Sequence, residues 1–364
     1  MAERDAPRDA PRDAGHDRDR RPVSYGDAGV DLEAAERSVG LIGARVAATH
    51  GPEVLGGIGG FGGLFRFDPS GWRDPILVSS SDGVGTKVEL ARQLGRLDGV
   101  GHDLVGMVVD DLVAVGARPL FMNDYLAVGR LDPERVADLV GGIADACGLA
   151  GCALVGGETA EHPGLLEPDA FDVAGFAVGV VEHDALLGPD RIRVGDVLIA
   201  LPSSGPHANG YSLIRRIVDG LDLTEQHGLP RPLADELMEP TRVHTPDVLA
   251  VIDALGVGED GVHAACHVTG GGLPGNLPRV LPGGLAAVVD RSTWEWPAVF
   301  RWLAEHGPVE DAEMWRTFNC GVGMVLVLAP AAVAPAVALL DARGIGSWVL
   351  GRVEADATEA FRFA

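Results

Sequence analysis

Short apolar runs alternate with longer amphipathic segments along most of this chain. Short apolar runs are typical of buried strands, whereas apolar residues spaced three or four apart are typical of helices that pack on one face. The runs predict strands at 76–78, 153–155, 171–181, 196–201, 324–328 and 347–353, and one that ends at Asn123-Asp124-Tyr125. The amphipathic segments predict helices at 31–49, 102–115, 132–148, 211–218, 244–255 and 331–342, the first capped by Asp31.

A strand–loop–helix junction is predicted at Asp82–Lys87, with Asp82-Gly83 as a turn and a helix from Val88 onward. Such a junction presents backbone N–H groups and the positive end of a helix dipole to an anion. Lys87 is the only lysine of the chain, and its compact charge can approach a phosphate closely. The spacing is not that of a Walker A loop. The alternative is a hairpin turn with a solvated lysine.

The segment 56–63, Gly-Gly-Ile-Gly-Gly-Phe-Gly-Gly, is rich in glycine but not polar. A plain linker would contain more serine and other polar residues. Glycine permits close approach of the backbone to a ligand, so the segment predicts a loop that closes over a nucleotide. A mobile surface loop is the alternative.

The second predicted helix carries a carboxylate on its apolar face. Asp111 falls on the same face as Leu104 and Leu112. A carboxylate in such a position is costly unless it is paired or binds a metal. The acidic neighbours Asp82 and Glu158 favour a metal site, and a buried salt bridge to an arginine is the alternative.

Two further acids follow the strand predicted at 153–155, which ends in Gly156–Glu161. An acid just past a strand end can reach a cation held by Asp82 and Asp111. For Glu161 the alternative is a solvated loop charge.

A polar stretch at 183–194 predicts a boundary between two domains, and an irregular insertion is predicted at 221–240. The second half begins with a strand and then Ser203–Gly210, another small-residue loop before a helix and a second candidate anion site. His207 and His267 each lie beside such a loop. A lone histidine is usually a satisfied core residue, but two in this setting favour a functional role.

Composition narrows the classes of partner. The chain has 364 residues, enough for about two domains, with 46% hydrophobic residues and a net charge of −24. The negative charge argues against nucleic acid as a partner, and no apolar run is long enough to span a membrane. Four cysteines without metal-type spacing predict structural thiols in a reducing cytoplasm. Residues 1–22 are predicted to be a disordered tail without the apolar core of a secretory signal.

Seven segments together resemble the aminoimidazole ribonucleotide synthetase family, the phosphoribosylformylglycinamidine cyclo-ligases. They are Ser24–Asp31, 56–63, Asp82–Lys87, Gly156–Glu161, Ser203–Ser212, His267–Gly272 and Phe318–Gly323. In this order and spacing they are highly specific. The resemblance implies a two-domain α+β fold: residues 23–185 form an N-terminal α/β domain whose mixed sheet pairs across a homodimer, and residues 190–360 form a C-terminal α–β sandwich.

The resemblance also implies an activity, the ATP-dependent conversion of formylglycinamidine ribonucleotide to aminoimidazole ribonucleotide, ADP and phosphate. It implies Mg²⁺ with ATP, with K⁺ as a further candidate ion. It implies metal ligands at Asp82, Asp111 and Glu158 and leaves Asp110, which is Asn in many relatives, doubtful. The implied ATP and phosphate contacts are Gly59, Gly60, Phe61, Gly62, Asp82, Gly83, Gly85, Thr86 and Lys87. The implied substrate contacts are Ser204, His207, Asn209, Thr269, Gly270 and Asn319, and the implied catalytic residues are Lys87, His207 and His267.

Two other functions remain open. A small-molecule kinase of the same superfamily would release a phosphorylated substrate instead of a cyclised one. A nucleotide-binding scaffold for partner proteins would have gaps in the acidic set, but Asp82, Asp111 and Glu158 are all present.

Overall fold

Helices and strands are mixed in both halves of the chain, in a computed structural model that describes residues 24–57 and 59–364. The tail predicted at 1–22 and Ile58 of the glycine loop lie outside the described residues.

The helices are α1 (Leu32–Ala47), α2 (Lys87–Leu94), α3 (Asp98–Ala114), α4 (Pro133–Ala150), α5 (Tyr211–Ile217), α6 (Leu233–Leu237), α7 (Thr245–Leu255), α8 (Gly272–Asn276), α9 (Ala298–His306), α10 (Asp311–Thr317) and α11 (Val333–Ala342). The strands are β1 (Val54–Leu55), β2 (Leu64–Phe65), β3 (Pro75–Gly83), β4 (Arg118–Val128), β5 (Ala153–Glu161), β6 (Phe171–Glu182), β7 (Val197–Pro202), β8 (Val262–His267), β9 (Leu285–Val289), β10 (Val322–Leu328), β11 (Trp348–Ala355) and β12 (Phe361–Phe363).

The first half contains a four-stranded sheet in the order β3-β6-β4-β5. The pair β4–β5 is parallel, with α4 as the crossover, and the other pairs are antiparallel. Helix α3 packs on one face of this sheet, and α4 packs beside α3. The opposite face exposes Leu77, Tyr125 and Phe176.

The second half is a sandwich around a six-stranded mixed sheet, in the order β12-β9-β11-β7-β10-β8. All seven residues of β10 are buried, because both faces of this strand are covered. Val325 and Val327 belong to the apolar cluster that includes α5 and α9, whereas Leu326 and Leu328 belong to the cluster that includes α7 and α11. The expected α+β fold with mixed sheets is confirmed.

Helix α3 lies between the two halves. It contacts β3 and β6 on one side and α7 and β8 on the other. The larger apolar cluster therefore runs through both halves, from Leu104 and Val108 on α3 to Leu198 on β7. The predicted boundary at 183–194 falls between β6 and β7.

The predicted starts of α1 and α4 agree with the observed caps, whereas α3, predicted from His102, begins at Asp98. Asp31 accepts a hydrogen bond from Ala34 N at 2.9 Å, and Asp132 caps α4 in the same way. Among the described residues, no helix combines the length and the apolar character needed to cross a bilayer. All four cysteines are buried free thiols, as expected.

Three local predictions in the first half are wrong. Asp82-Gly83 is the end of β3 rather than a turn, Asn123–Tyr125 lies inside β4 rather than at a strand end, and Gly156–Glu161 continues β5 rather than forming a loop. Each of these polar or glycine segments has backbone partners on a neighbouring strand. Those partners come from distant parts of the chain, so the local pattern cannot reveal them.

Candidate functional site

The connection from β3 to α2 places Asp82 at the junction of the two halves. Gly85 turns the chain with a φ of 60°, and α2 begins at Lys87, so the predicted strand–loop–helix is confirmed. The Asp82 carboxylate is exposed and accepts a hydrogen bond from Gly83 N at 2.7 Å. Partial desolvation and the nearby charge of Asp111 raise the pKa of Asp82, although the Gly83 hydrogen bond and His267 oppose this rise.

Asp111 and His267 join the two halves beside Asp82. His267 Nδ1 lies 2.9 Å from Asp111 Oδ1, with the Asp111 side chain 44% exposed and that of His267 2% exposed. Burial lowers the pKa of His267, but the carboxylates of Asp111, Asp110 and Asp82 outweigh it and the pKa is raised. His267 Nε2 has no hydrogen-bond partner in the described part of the chain.

Of the two neighbouring acids near the end of α3, Asp110 is buried and Asp111 is half exposed, so the prediction that Asp111 lies on the buried apolar face is wrong. Asp110 is fully buried and accepts hydrogen bonds from His244 N, Thr245 N and Thr245 Oγ1 at 2.7–3.0 Å. It thereby caps the first turn of α7, and burial raises its pKa to about 6. Because α3 is covered on two sides, one apolar stripe does not identify its buried acid.

Lys87 lies inside the junction and does not face a phosphate site. Its side chain is 0% exposed, and Nζ lies 2.8 Å from both carboxylate oxygens of Asp103. The ammonium group also donates to His207 O at 2.9 Å and to Glu239 O at 3.0 Å. Three protein acceptors satisfy its three protons, so the expected phosphate contact and direct catalytic role are corrected.

His207 is fully buried and packs near a second histidine that the sequence did not single out. Its backbone is left-handed, with a φ of 60°, and its Nε2 accepts from Ser204 N at 3.2 Å. The His244 ring centre lies 6.0 Å away, and a Cβ at Gly323 would clash with both rings. Burial and neighbouring positive charge hold the pKa of both histidines well below the usual value. His207 is therefore neutral and enclosed, which corrects its expected role as a direct substrate contact and catalyst.

Two further expected substrate contacts are occupied by protein groups. The Ser204 hydroxyl donates to Pro240 O at 2.6 Å. Asn319 donates to Gly205 O at 2.9 Å and accepts from Ser203 Oγ at 3.0 Å. These two side chains fix the loop after β7 rather than facing an open site.

The remaining expected substrate residues lie where three loops meet. A Cβ at Gly270 would lie 3.4 Å from Asn209 Oδ1, so the loops after β7 and β8 touch there. Gly270 is exposed, and Asn209 and Thr269 are half-buried. Thr86 Oγ1 lies 3.1 Å from Ser212 Oγ, which joins the β3–α2 connection to the start of α5.

The glycine loop connects β1 to β2, which pair as a short antiparallel ribbon. Gly59, Gly60, Phe61 and Gly62 line a pocket of about 430 Å³, and Phe61 is fully exposed. Residues of α1, α4 and β5 form the other walls of this pocket.

Two polar side chains of β4, missed by the sequence reasoning, lie in the same pocket. Asn123 Oδ1 and Asp124 Oδ2 are buried there without a hydrogen-bond partner in the described part of the chain. Burial raises the pKa of Asp124 to about 7. An acid inside an apolar run was the available signal for Asp124. The pocket therefore combines apolar walls with unused acceptors.

The predicted metal ligands Asp82, Asp111 and Glu158 are not brought together within one chain. Asp82 on β3 pairs with Gly175 on β6, whereas Glu158 on β5 pairs with Tyr125 on β4. Because β3 and β5 are the two edge strands, the acids lie on opposite edges of the sheet, and their pairing places the two side chains on opposite faces. Three strand spacings separate the edges by about 14 Å. In residues 24–57 and 59–364, no three His, Cys, Asp or Glu side chains are close enough to hold a metal ion.

Asp82 and Asp111 lie close enough for the charge of Asp111 to raise the pKa of Asp82, and carboxylate oxygens are ligands that Mg²⁺ accepts. Mg²⁺ is usually bound by one or two carboxylates together with phosphate oxygens and water. Glu161, in contrast, accepts from Asp31 N and Leu131 N at 2.7 Å each and ties α1 to the end of β4. It is neither a solvated charge nor a free ligand.

Comparison with known proteins identifies both halves. The AIR synthase related protein N-terminal domain matches residues 71–181, and the C-terminal domain of the same family matches residues 193–363.

Solved structures share the fold at low sequence identity. Thiamine-monophosphate kinase from Stenotrophomonas maltophilia K279a is 20% identical with a TM-score of 0.66, covering 89% of this chain and 95% of that one. Hydrogenase maturation protein HypE in complex with ATP is 18% identical with a TM-score of 0.64, and the match covers 93% of this chain and 94% of that one. AaThiL complexed with AMPPCP and TMP is 17% identical with a TM-score of 0.55, and the match covers 79% of this chain and 83% of that one. The two domain matches span most of the sequence, and the chain therefore belongs to the AIR synthase-related protein family.

Proposed function

We propose that this protein is a phosphoribosylformylglycinamidine cyclo-ligase, which uses ATP to close the imidazole ring of aminoimidazole ribonucleotide. The observation that carries the proposal is the set of seven segments that resemble this family in order and spacing. Four of them, Asp82–Lys87, Ser203–Ser212, His267–Gly272 and Phe318–Gly323, lie around the junction of the two halves. Their mutual contacts support a single reaction centre there.

Nucleotide binding is assigned to the glycine loop and to the β3–α2 connection, which lie at opposite edges of the sheet and would meet only across the dimer proposed below. The pocket beneath the loop has the apolar walls and the few polar groups that are typical of small-molecule sites. Asp82 and Asp111 would hold Mg²⁺, which neutralises phosphate charge when it is bound. Backbone N–H groups of Gly85 and Thr86 would contact phosphate oxygens, in place of the enclosed Lys87.

Ring closure requires an activated amide and a proton acceptor. In the proposed reaction the formyl amide oxygen takes the γ-phosphoryl group of ATP, and the amidine nitrogen then attacks the same carbon and expels that oxygen as phosphate. The step is intramolecular, so a site that holds the substrate in a bent conformation supplies much of the rate.

His267 is the histidine that suits the proton transfer. Its Nδ1 lies 2.9 Å from Asp111, and its buried Nε2 has no hydrogen-bond partner in the described residues, so His267 would take the proton of the attacking nitrogen if the bound substrate reaches Nε2. His207 is enclosed, and its Nε2 is already engaged by Ser204.

A second copy of the chain would complete the site. The face of the first sheet opposite α3 exposes Leu77 (62%) and Phe176 (51%), which are typical of a surface that pairs with another sheet. Asp82 and Glu158 lie on opposite edges, so a two-fold dimer can bring Glu158 of the partner subunit near Asp82. We propose a homodimer with two such shared sites.

The test is incubation of the purified protein with ATP, Mg²⁺ and formylglycinamidine ribonucleotide. We expect equal amounts of ADP, inorganic phosphate and an aromatic amine. A phosphorylated substrate without free phosphate would support the kinase alternative, a class to which one of the similar folds belongs by name. ATP binding without turnover would support the scaffold alternative.

A further inference from the structure

We propose that Lys87 is a positioning residue, whose ammonium group, held by Asp103, fixes the loop after β7 through the carbonyl of His207. This inference rests on the proposed function only where it places that loop at the reaction centre. The ammonium group of the single lysine of the chain therefore binds other residues of the protein rather than a ligand.

The contacts of Nζ connect both halves of the molecule. Asp103 lies on α3 in the first half, whereas His207 and Glu239 lie in two different loops of the second half. The three contacts measure 2.8, 2.9 and 3.0 Å, and the side chain is 0% exposed. The Tyr211 ring, at the start of α5, closes the remaining side with its centre 5.3 Å from Nζ.

Asp103 makes the arrangement rigid. Its Oδ1 also accepts from Thr241 N at 2.8 Å and from Thr241 Oγ1 at 2.6 Å. The carboxylate therefore holds the lysine and the segment before α7 at once. A buried ion pair requires both partners, because removal of one leaves an uncompensated charge in the interior.

The backbone of His207 needs such support. A φ of 60° is uncommon for a residue with a side chain, and strain of this kind persists only where surrounding contacts hold it. The His207 carbonyl accepts from Nζ, and its Nε2 accepts from Ser204 N. On the other side, Asn319 donates to Gly205 O. The lysine therefore acts on a strained residue that is held from both ends of the loop.

The experiment compares Lys87→Met, Lys87→Arg and the double variant K87M/D103N with the wild type. The double variant removes both charges and keeps an acceptor oxygen for Thr241, so it avoids the unpaired buried carboxylate. The readouts are the imidazole NMR signals of His207, the affinity for ATP with Mg²⁺ by calorimetry, and turnover. His263 is the control histidine, because it is buried between Asp196 and the Gly258 carbonyl, apart from Lys87.

We expect the His207 signals to shift in all three variants while the His263 signals stay in place. The ATP dissociation constant should stay within about twofold. Turnover should fall about tenfold or more, because displacement of the loop misaligns the reacting groups. Lys87→Arg should not rescue turnover, because a planar guanidinium cannot replace a compact ammonium among three close acceptors.

Unchanged His207 signals would overturn the inference, and ATP affinity weakened about tenfold in that case would show a phosphate contact instead. Failure of K87M/D103N to fold would also contradict it, because that variant leaves no unpaired buried charge and the inference assigns Lys87 to the position of one loop. The NMR readout needs no substrate. If the signals move but no ring closure is found in the wild type, the proposed function fails and this inference stands.

Discussion

Two adjacent carboxylates of α3 have different roles at the residue scale, and their replacement tests the difference. We expect Asp110→Ala to lower the free energy of unfolding by about 2–4 kcal/mol, because the buried His244 N and Thr245 N lose their acceptor. Asp111→Ala should change it by about 1 kcal/mol or less, because the Asp111 side chain is half exposed. The same Asp111 variant should lower turnover about 10²-fold.

Chemical denaturation and steady-state kinetics measure both effects. Equal stability of the two variants would contradict the role assigned to Asp110. Near-normal turnover of Asp111→Ala at saturating Mg²⁺ would contradict the role of Asp111.

A buried acid also gives the protein a specific dependence of stability on pH. Burial raises the pKa of Asp124 from 3.8 to about 7, so the folded protein holds a proton there that the unfolded chain releases. The contribution of Asp124 to the free energy of unfolding therefore falls as the pH rises from about 4 to about 7, and it is constant at higher pH.

Asp124→Asn should remove this dependence. The stability of the variant relative to the wild type should grow between pH 5 and pH 8, by at most about 3 kcal/mol. Urea denaturation at several pH values measures the difference. A difference that does not change with pH would show that Asp124 titrates normally.

The sequence identified Asp82 and Asp111 as candidate site residues, but it did not show which side chains surround the charged groups of the junction. Asp82 and Asp111 lie together beside His267, as their chemistry indicated. Lys87 was misassigned because a lone charge beside a glycine turn suggests a ligand, while its partner Asp103 lies sixteen positions along the chain. Only the folded structure shows that the Lys87 ammonium group binds the Asp103 carboxylate rather than a phosphate.

At the scale of elements, the glycine loop depends on the close approach of its ribbon to β5. A Cβ on Gly63 would lie 2.7 Å from both Val155 O and Val155 Cγ2. Gly63→Ala should therefore push the ribbon away from β5 and weaken ATP binding about tenfold.

Gly71→Ala is the matched control, because no atom lies within 4 Å of its added Cβ. Calorimetry with ATP and Mg²⁺ measures both variants. Equal affinities would show that the ribbon does not set the shape of the nucleotide pocket.

Many of the elements were predictable from the sequence, for physical reasons, but none was predicted for residues 256–323, where β8, α8, β9, α9 and α10 lie. Helices α1, α4 and α7 begin within a residue or two of the predicted positions, because capping groups and proline mark their first turns. Strand β5 was predicted too short, because its second half is glycine-rich and polar. Its pairing with β4 holds it extended, and pairing is not a local property.

At the scale of the whole molecule, the sheet order separates residues that the sequence suggested would meet. Order within a sheet depends on contacts between distant segments, so the sequence could not place Asp82 and Glu158 on opposite edges.

A mixed dimer tests whether a second copy closes that gap. Asp82→Asn and Glu158→Gln should each lower turnover about 10²-fold. Dissociation and reassociation of an equal mixture should restore about a quarter of wild-type activity, because half of the dimers are mixed and each has one intact site. A mixture no more active than its components would show that Asp82 and Glu158 serve the same protomer or act apart.

The pairing of β3 with β6 also sets an order of events during synthesis. Nine residues of β3 find their partners on a strand that is made only after α2, α3, β4, α4 and β5. Until then the growing chain carries an open strand edge that other chains can pair with. Such non-local pairing folds slowly, so we expect fragments that end before Phe171 to aggregate and the nascent chain to depend on chaperones until β6 leaves the ribosome.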